Sequence, residues 1–158
     1  MKSKCSVKKL IMVGLIGGAM IMSLGACKKT ENKEVDIATV SDGLLNEISY
    51  EDELSEVDYD LVYDMEGIEV SESAVYVSSG ATAEEIAAFK CKTEEDAKKV
   101  KEVLGNRVEE QKESFQNYVP EELEKLEKAV IVKEGKSVVL SISNDDQKAK
   151  EIIEEAVK

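Results

Sequence analysis

The sequence predicts an α+β fold: two ββα units forming a four-stranded, mostly antiparallel sheet covered by helices, preceded by one or two N-terminal helices. Three observations point to it. β-rich runs of alternating residues lie at 73–79 and 129–143. Each is followed by a capped stretch with apolar residues at helix spacing. The run AVYVSSG (74–80) also resembles AVIVKEG (129–135) at an offset of 55. The expected layering has helices on one face of the sheet and leaves the other face open to a partner.

Ile37, Val40, Leu44, Leu45 and Ile48 make one apolar stripe and predict a first helix, which Gly43 weakens. YEDELSEVDYDLVYDMEG (50–67) is ambiguous. Leu54, Val57 and Leu61 continue a helical face, whereas Tyr59, Leu61 and Tyr63 alternate as in a strand; the segment is read as a second short helix and a loop. SAVYVSS (73–79) sets Val75 and Val77 opposite Tyr76 and reads as a strand ended by Gly80. AEEIAAFKCK (83–92) is its hairpin partner, on the strength of turn residues Ser79, Gly80 and Thr82, although its Ala and Glu content also suits a helix.

Thr93 is an N-cap, with Asp96 three residues on, and Glu94, Glu95 and Asp96 fill the first turn where the helix dipole favours acids. The seam that follows is Ala97, Val100, Leu104, Val108, Phe115 and Tyr118, with Gln111 as its one polar member. Gly105 within it is read as allowing close packing or a slight bend. Pro120 stops the helix near Tyr118, and 121–128 adds another turn or two. AVIVKEGKSVVLSIS (129–143) is a hairpin about Lys133–Gly135. Asn144 then caps a last helix with an apolar face of Ala149, Ile152, Ile153, Ala156 and Val157.

The first 26 residues differ from the rest. Lys2, Lys4, Lys8 and Lys9 precede a run, LIMVGLIGGAMIMSLGA (10–26), of apolar and small residues only. That is the layout of an export signal, on the short side for a membrane span. Leu24-Gly25-Ala26-Cys27 resembles a bacterial lipobox. The resemblance implies that residues 1–26 are a signal peptide cut before Cys27, and that the Cys27 sulfur carries diacylglycerol. Two or more acyl chains give stable anchoring where one gives only marginal binding. The expected layout is therefore signal 1–26, polar flexible tether 27–36 and a single domain 37–158, held at the outer face of the cytoplasmic membrane. With Cys5 removed and Cys27 lipidated, Cys91 alone remains and no intramolecular disulfide can form.

Charge and composition narrow the function. The chain has 34 acidic and 21 basic residues, and removing 1–26 takes away four lysines and no acid. A surface this acidic does not seek nucleic acid or anionic lipid. There is no histidine, hence no Ser–His–Asp set and no Cys–His pair, and no glycine-rich phosphate loop stands out. No catalytic residue, cofactor or metal site is predicted. Asn144-Asp145-Asp146 lacks the glycine and distant glutamate of a calcium loop and reads as a cap. The distinctive segment is 106–127. Arg107, the only arginine, is read as pairing with Glu110 or Gln111 across a turn, and Phe115, Tyr118 and Pro120 as locking the helix end against the sheet. The sharper reading makes Arg107 and Tyr118 candidate binding residues.

EIAAFK (85–90), DAKKV (96–100), R-x-x-x-Q-x-x-x-F-x-x-Y-x-P (107–120) and V-x-L-x-I-S (138–143) together resemble the DUF4358 family. These are small lipoproteins of Gram-positive, mostly clostridial bacteria. The resemblance spans about residues 40–157 and implies an exported lipoprotein with a domain of uncharacterised activity; it supplies no catalytic residue. The expected function is a noncatalytic binding or assembly module with a membrane or cell-wall protein partner. The alternatives are a small-ligand receptor serving a transporter or sensor, and a carboxylate-based cell-wall hydrolase.

Overall fold

The computed structural model describes residues 34–157. The predicted signal peptide, the Cys27 lipidation site and most of the predicted tether lie outside the described residues. The tether's last residues belong to the folded domain. Glu34 pairs with Lys90 at 2.7 Å. Val35 is buried, bridges Val157 and is held by the Ser137 hydroxyl. An apolar side chain so close to the sheet gains more from burial than a spacer gains from freedom.

Asp36 caps α1 (Ile37–Glu47), its carboxylate accepting the Thr39 N–H at 3.0 Å. Then come β1 (Ser55–Glu56), β2 (Val70–Val77) and β3 (Glu85–Cys91). Next are α2 (Glu94–Phe115), α3 (Leu123–Glu127), β4 (Val130–Glu134), β5 (Ser137–Ile142) and α4 (Asp146–Glu155). All strand pairs are antiparallel, in the order β1-β2-β3-β5-β4. Both ββα units are present, β2-β3-α2 and β4-β5-α4, joined through their second strands.

Two expectations are corrected. The sheet has five strands, not four: β1 pairs Ser55 with Val77 and Glu56 with Tyr76. It is two exposed polar residues long, and so carries no periodicity to detect. More consequentially, helices cover both faces, and no open sheet face is left for a partner. One core joins α2 and α3 to Val75, Ala87, Phe89, Val138 and Leu140. The other joins α1 and α4 to Ile86, Ala88, Val130 and Val139. Val75 and Val130 occupy matching places in the two units yet face opposite cores, so the repeated units set their helices on opposite sides. The central strands show why: β5 is buried at every position and β3 at all but Lys90, the pattern of strands covered twice.

The ambiguous segment 50–67 is neither a regular helix nor a long strand. A single 3₁₀ turn, Tyr59–Leu61, places Tyr59 and Tyr63 on the same side. Their rings meet Phe89 edge-on, with centroids 5.9 and 5.6 Å away. Such T-shaped pairs are favoured by the ring quadrupoles. The same turn throws Leu61 outward, 79% exposed.

The caps of the later helices are close to expectation. Thr93 accepts the Asp96 N–H at 3.0 Å and donates its hydroxyl back to the Asp96 carboxylate at 2.7 Å. The α4 cap is Asp145, accepting from Lys148 N–H, whereas Asn144 donates to Glu51. The β4–β5 turn places Gly135 at φ 53°, a left-handed position where glycine is unstrained.

Among the described residues, the two helical glycines, Gly43 and Gly105, have opposite roles. A Cβ on Gly43 would stand 2.8 Å from Ile152 Cγ2, so this glycine lets α1 and α4 approach closely. A Cβ on Gly105 would meet nothing within 4 Å, contrary to the packing role read from its seam. Gly43→Ala is therefore expected to destabilise by about 1–2 kcal/mol despite alanine's better helix propensity. Gly105→Ala is expected to stabilise by up to about 1 kcal/mol. Urea midpoints of the two variants measure this, and the reverse order would refute the packing argument.

Cys91 is buried and free. Burial, and then the negative charge of Asp96, push its thiol up to about 11. The thiolate is the reactive form. Iodoacetamide at pH 8 should leave the Cys91 peptide unlabelled until urea unfolds the chain, as read by peptide mass spectrometry; full labelling in buffer would contradict the burial.

Candidate functional site

The residue types of α2 place a polar stripe beside its apolar seam. Arg107 and Gln111 are one turn apart, and Phe115 follows by another turn, so all three point the same way. They point at the head of β3. There Glu85 is the first strand residue, with its side chain 1% exposed. Arg107 donates from Nε and Nη2 to Glu85 Oε2, at 3.3 and 3.1 Å. Gln111 Nε2 donates to the same oxygen at 2.6 Å. The Tyr63 hydroxyl donates to Glu85 Oε1. Burial, then the adjacent Glu85 charge, hold the Tyr63 phenol well above its ordinary pKa, so it remains a donor. One buried carboxylate thus collects donors from α2 and from the segment after the 3₁₀ turn.

Arg107's partner is therefore Glu85 on the sheet, not Glu110 or Gln111 across a turn; Gln111 shares that partner. A buried carboxylate in reach outcompetes a solvated one because the pair is less screened. Tyr118 also departs from expectation. Phe115 packs against the core, but Tyr118 stands 76% exposed beyond the end of α2 and locks nothing.

Arg107 and Tyr118 nonetheless meet at one place. A groove of about 580 Å³ is floored by Glu85, Arg107 and Gln111 and walled by Val62, Val77 and Phe115. The turn after β2, Ser78 to Ala83, forms its rim. Leu61 and Tyr118 flank it, and they are the two large exposed apolar side chains found among the described residues. The Arg107 side chain is 31% exposed, with Nη1 engaged by no group, while Glu85 is sealed beneath it. The Gln111 amide oxygen is buried without a hydrogen-bond partner.

Sequence reasoning missed the buried glutamates Glu84, Glu85 and Glu122. Glu84, next to Glu85, turns to the opposite side. It accepts N–H donors from Glu51 and Asp52, the Thr82 hydroxyl at 3.0 Å and Lys125 Nζ at 3.4 Å. Lys125, 5% exposed, also pairs with Glu122 at 3.0 Å and Glu51 at 3.2 Å. Glu122 takes the Ala83 N–H at 2.8 Å, and Asp52 takes the Ser79 N–H at 2.8 Å. Through these bonds the network pins both ends of the groove's rim. The available signal was two adjacent acids heading a strand that is otherwise almost wholly apolar.

Among the described residues no group of three or more His, Cys, Asp or Glu is placed to hold a metal ion. No described helix is long and apolar enough to cross a membrane. Asp145 and Asp146 serve the α4 cap and first turn.

Comparison with known proteins gives one positive result. No curated protein and no solved structure matches the chain. The family model of a domain of unknown function, DUF4358, matches residues 47–143, well over half of the chain. That span holds Glu85, Arg107, Gln111, Phe115 and Tyr118, the groove as well as the sheet it rests on. The chain belongs to the DUF4358 family.

Proposed function

We propose that this protein is a noncatalytic binding or assembly module, anchored by lipid on Cys27 at the outer face of the cytoplasmic membrane, and that its partner docks in the groove between Leu61 and Tyr118. The observation that carries the reading is that those two exposed apolar side chains line the same groove as the Arg107 guanidinium. Tyr and Arg are enriched in contact hot spots, and the exposed Leu61 adds apolar area to the same groove. The signal and lipobox residues support the location. Because helices cover both sheet faces, this reading takes the groove beside α2 as the docking surface in place of the sheet.

The groove volume falls in the range of small-molecule sites, which supports a small-ligand receptor as a second reading. A carboxylate-based hydrolase is less well supported. It needs two carboxyl groups facing one substrate, and the side chain of Glu84 is spent on Lys125, Thr82 and two backbone amides.

The test is in-cell photocrosslinking from position 118 of the full chain, with Cys27→Ala and Leu61→Asp versions as controls. Enrichment of one membrane or wall protein, lost in both controls, is the expected result. A diffuse background in all three would overturn the assembly reading.

A further inference from the structure

We infer that the groove recognises a carboxylate joined through one carbon to an amide N–H and an apolar side chain. This is the chemistry of a peptide's C-terminal residue, or of a free N-acyl amino acid. The inference deepens the binding reading above and rests on it.

Four observations carry it. Arg107 is oriented by two bonds to a single oxygen of Glu85, so its Nη1 edge is presented in a fixed direction and engages no group in the structure. A guanidinium edge fits a carboxylate by two parallel hydrogen bonds. Of the charged groups in the groove, Glu84 and Glu85 have side chains 0% and 1% exposed, so the charge that reaches solvent is that of Arg107. In a domain otherwise dominated by acids, the groove is thus a local exception that accepts one negative group. One turn along α2, the Gln111 side chain is more than nine-tenths buried and its amide oxygen lacks a donor. A buried acceptor without a donor is uncommon and calls for a partner; the amide N–H beside a terminal carboxylate supplies one. Val62, Val77 and Phe115 line the same groove and offer apolar surface, to which the exposed Leu61 and Tyr118 add.

A strongly anionic ligand is disfavoured. Glu85 already balances Arg107, and the acidic domain repels multiple charges at long range. A single carboxylate on an otherwise neutral, apolar body meets both conditions.

The experiment is calorimetric titration of the purified full-length protein in neutral detergent. The probes are N-acetyl-leucine, its C-terminal amide, and an acetylated tetrapeptide ending in leucine. The free acids should bind, and the amide should bind roughly ten- to a hundredfold more weakly, as expected for loss of charge-assisted hydrogen bonds. Arg107→Lys keeps the charge but loses the fork and should weaken the acids by about tenfold. Tyr118→Ala, at an exposed position that does not threaten folding, should weaken acid binding by several-fold. Tighter binding of the tetrapeptide would assign a peptide terminus, and equal binding a free acyl amino acid; either supports the proposal. Equal affinity for acid and amide overturns it. So does the absence of binding by all three probes. In that case a crosslinked partner at position 118 would show that the docking reading survives, and its absence that both have failed.

Discussion

Lys125→Met is expected to destabilise the domain by about 3–5 kcal/mol, the cost of removing one partner from a buried ionic cluster. Lys125 is the cation shared by Glu84 and Glu122, both buried, and by Glu51 at the surface. Methionine fills the volume of the lysine stem, so the loss is electrostatic rather than a cavity. Urea unfolding measures it, with Lys128→Met as control; Lys128 pairs with exposed Glu124 and should change the midpoint little.

The pH dependence gives a second reading of the same variant. Burial lowers the Lys125 pKa, but the hydrogen bond to Glu122 and the charge of Glu84 outweigh it, and the net shift is upward from 10.5. A folded pKa above the unfolded one means the stabilisation is complete below the unfolded value and is lost as pH rises through the folded value. The gap between the native protein and Lys125→Met should therefore be constant at neutral pH and close above about pH 10.5. A gap that persists at higher pH would show that packing, not charge, was lost.

The parts of the fold that were legible in the sequence are those with local causes. α2 announces itself by Thr93, three first-turn acids and a seam that runs to Phe115; the β4–β5 hairpin does so by Gly135 between two β-branched runs. What was not legible depends on contacts between distant segments. Whether a strand is covered once or twice is not a property of its own residues, and AVYVSSG reads alike under either layering. The Arg107–Glu85 pair joins a helix to a strand 22 residues earlier, a connection no helical spacing encodes. Arg107 and Tyr118 were singled out as unusual residues, and the groove does bring them together. Of their real neighbours, Gln111 stood out as the one polar member of the α2 seam, whereas Glu85 and Leu61 were hidden because an acid and a leucine are ordinary residues until the fold places them. The groove's rim has the same origin: Ser79 and Ala83 are fixed by Asp52 and Glu122, which lie far away in sequence.

The second large effect is expected at Arg107. Arg107→Met leaves Glu85 buried with only the neutral donors Tyr63 and Gln111. Breaking a fully buried pair costs about 3–5 kcal/mol. The Arg107 side chain is 31% exposed, which reduces the expected loss to about 2 kcal/mol. Glu85→Gln is milder, at about 1 kcal/mol, because the freed guanidinium can be solvated while the amide retains hydrogen-bonding capacity. The pair provides a double-mutant cycle. If both side chains act on each other, the double variant should be less damaged than the two single losses predict, by about 1–2 kcal/mol. Simple additivity would show that Glu85 is held chiefly by Tyr63 and Gln111, with Arg107 a bystander. The distinction bears on function as well as on stability. A guanidinium clamped by Glu85 presents a fixed edge to the groove, whereas an unclamped one must be ordered by the ligand itself and loses side-chain entropy on binding. Glu85→Gln should therefore weaken binding in the groove even though the substituted side chain is only 1% exposed and acts through Arg107.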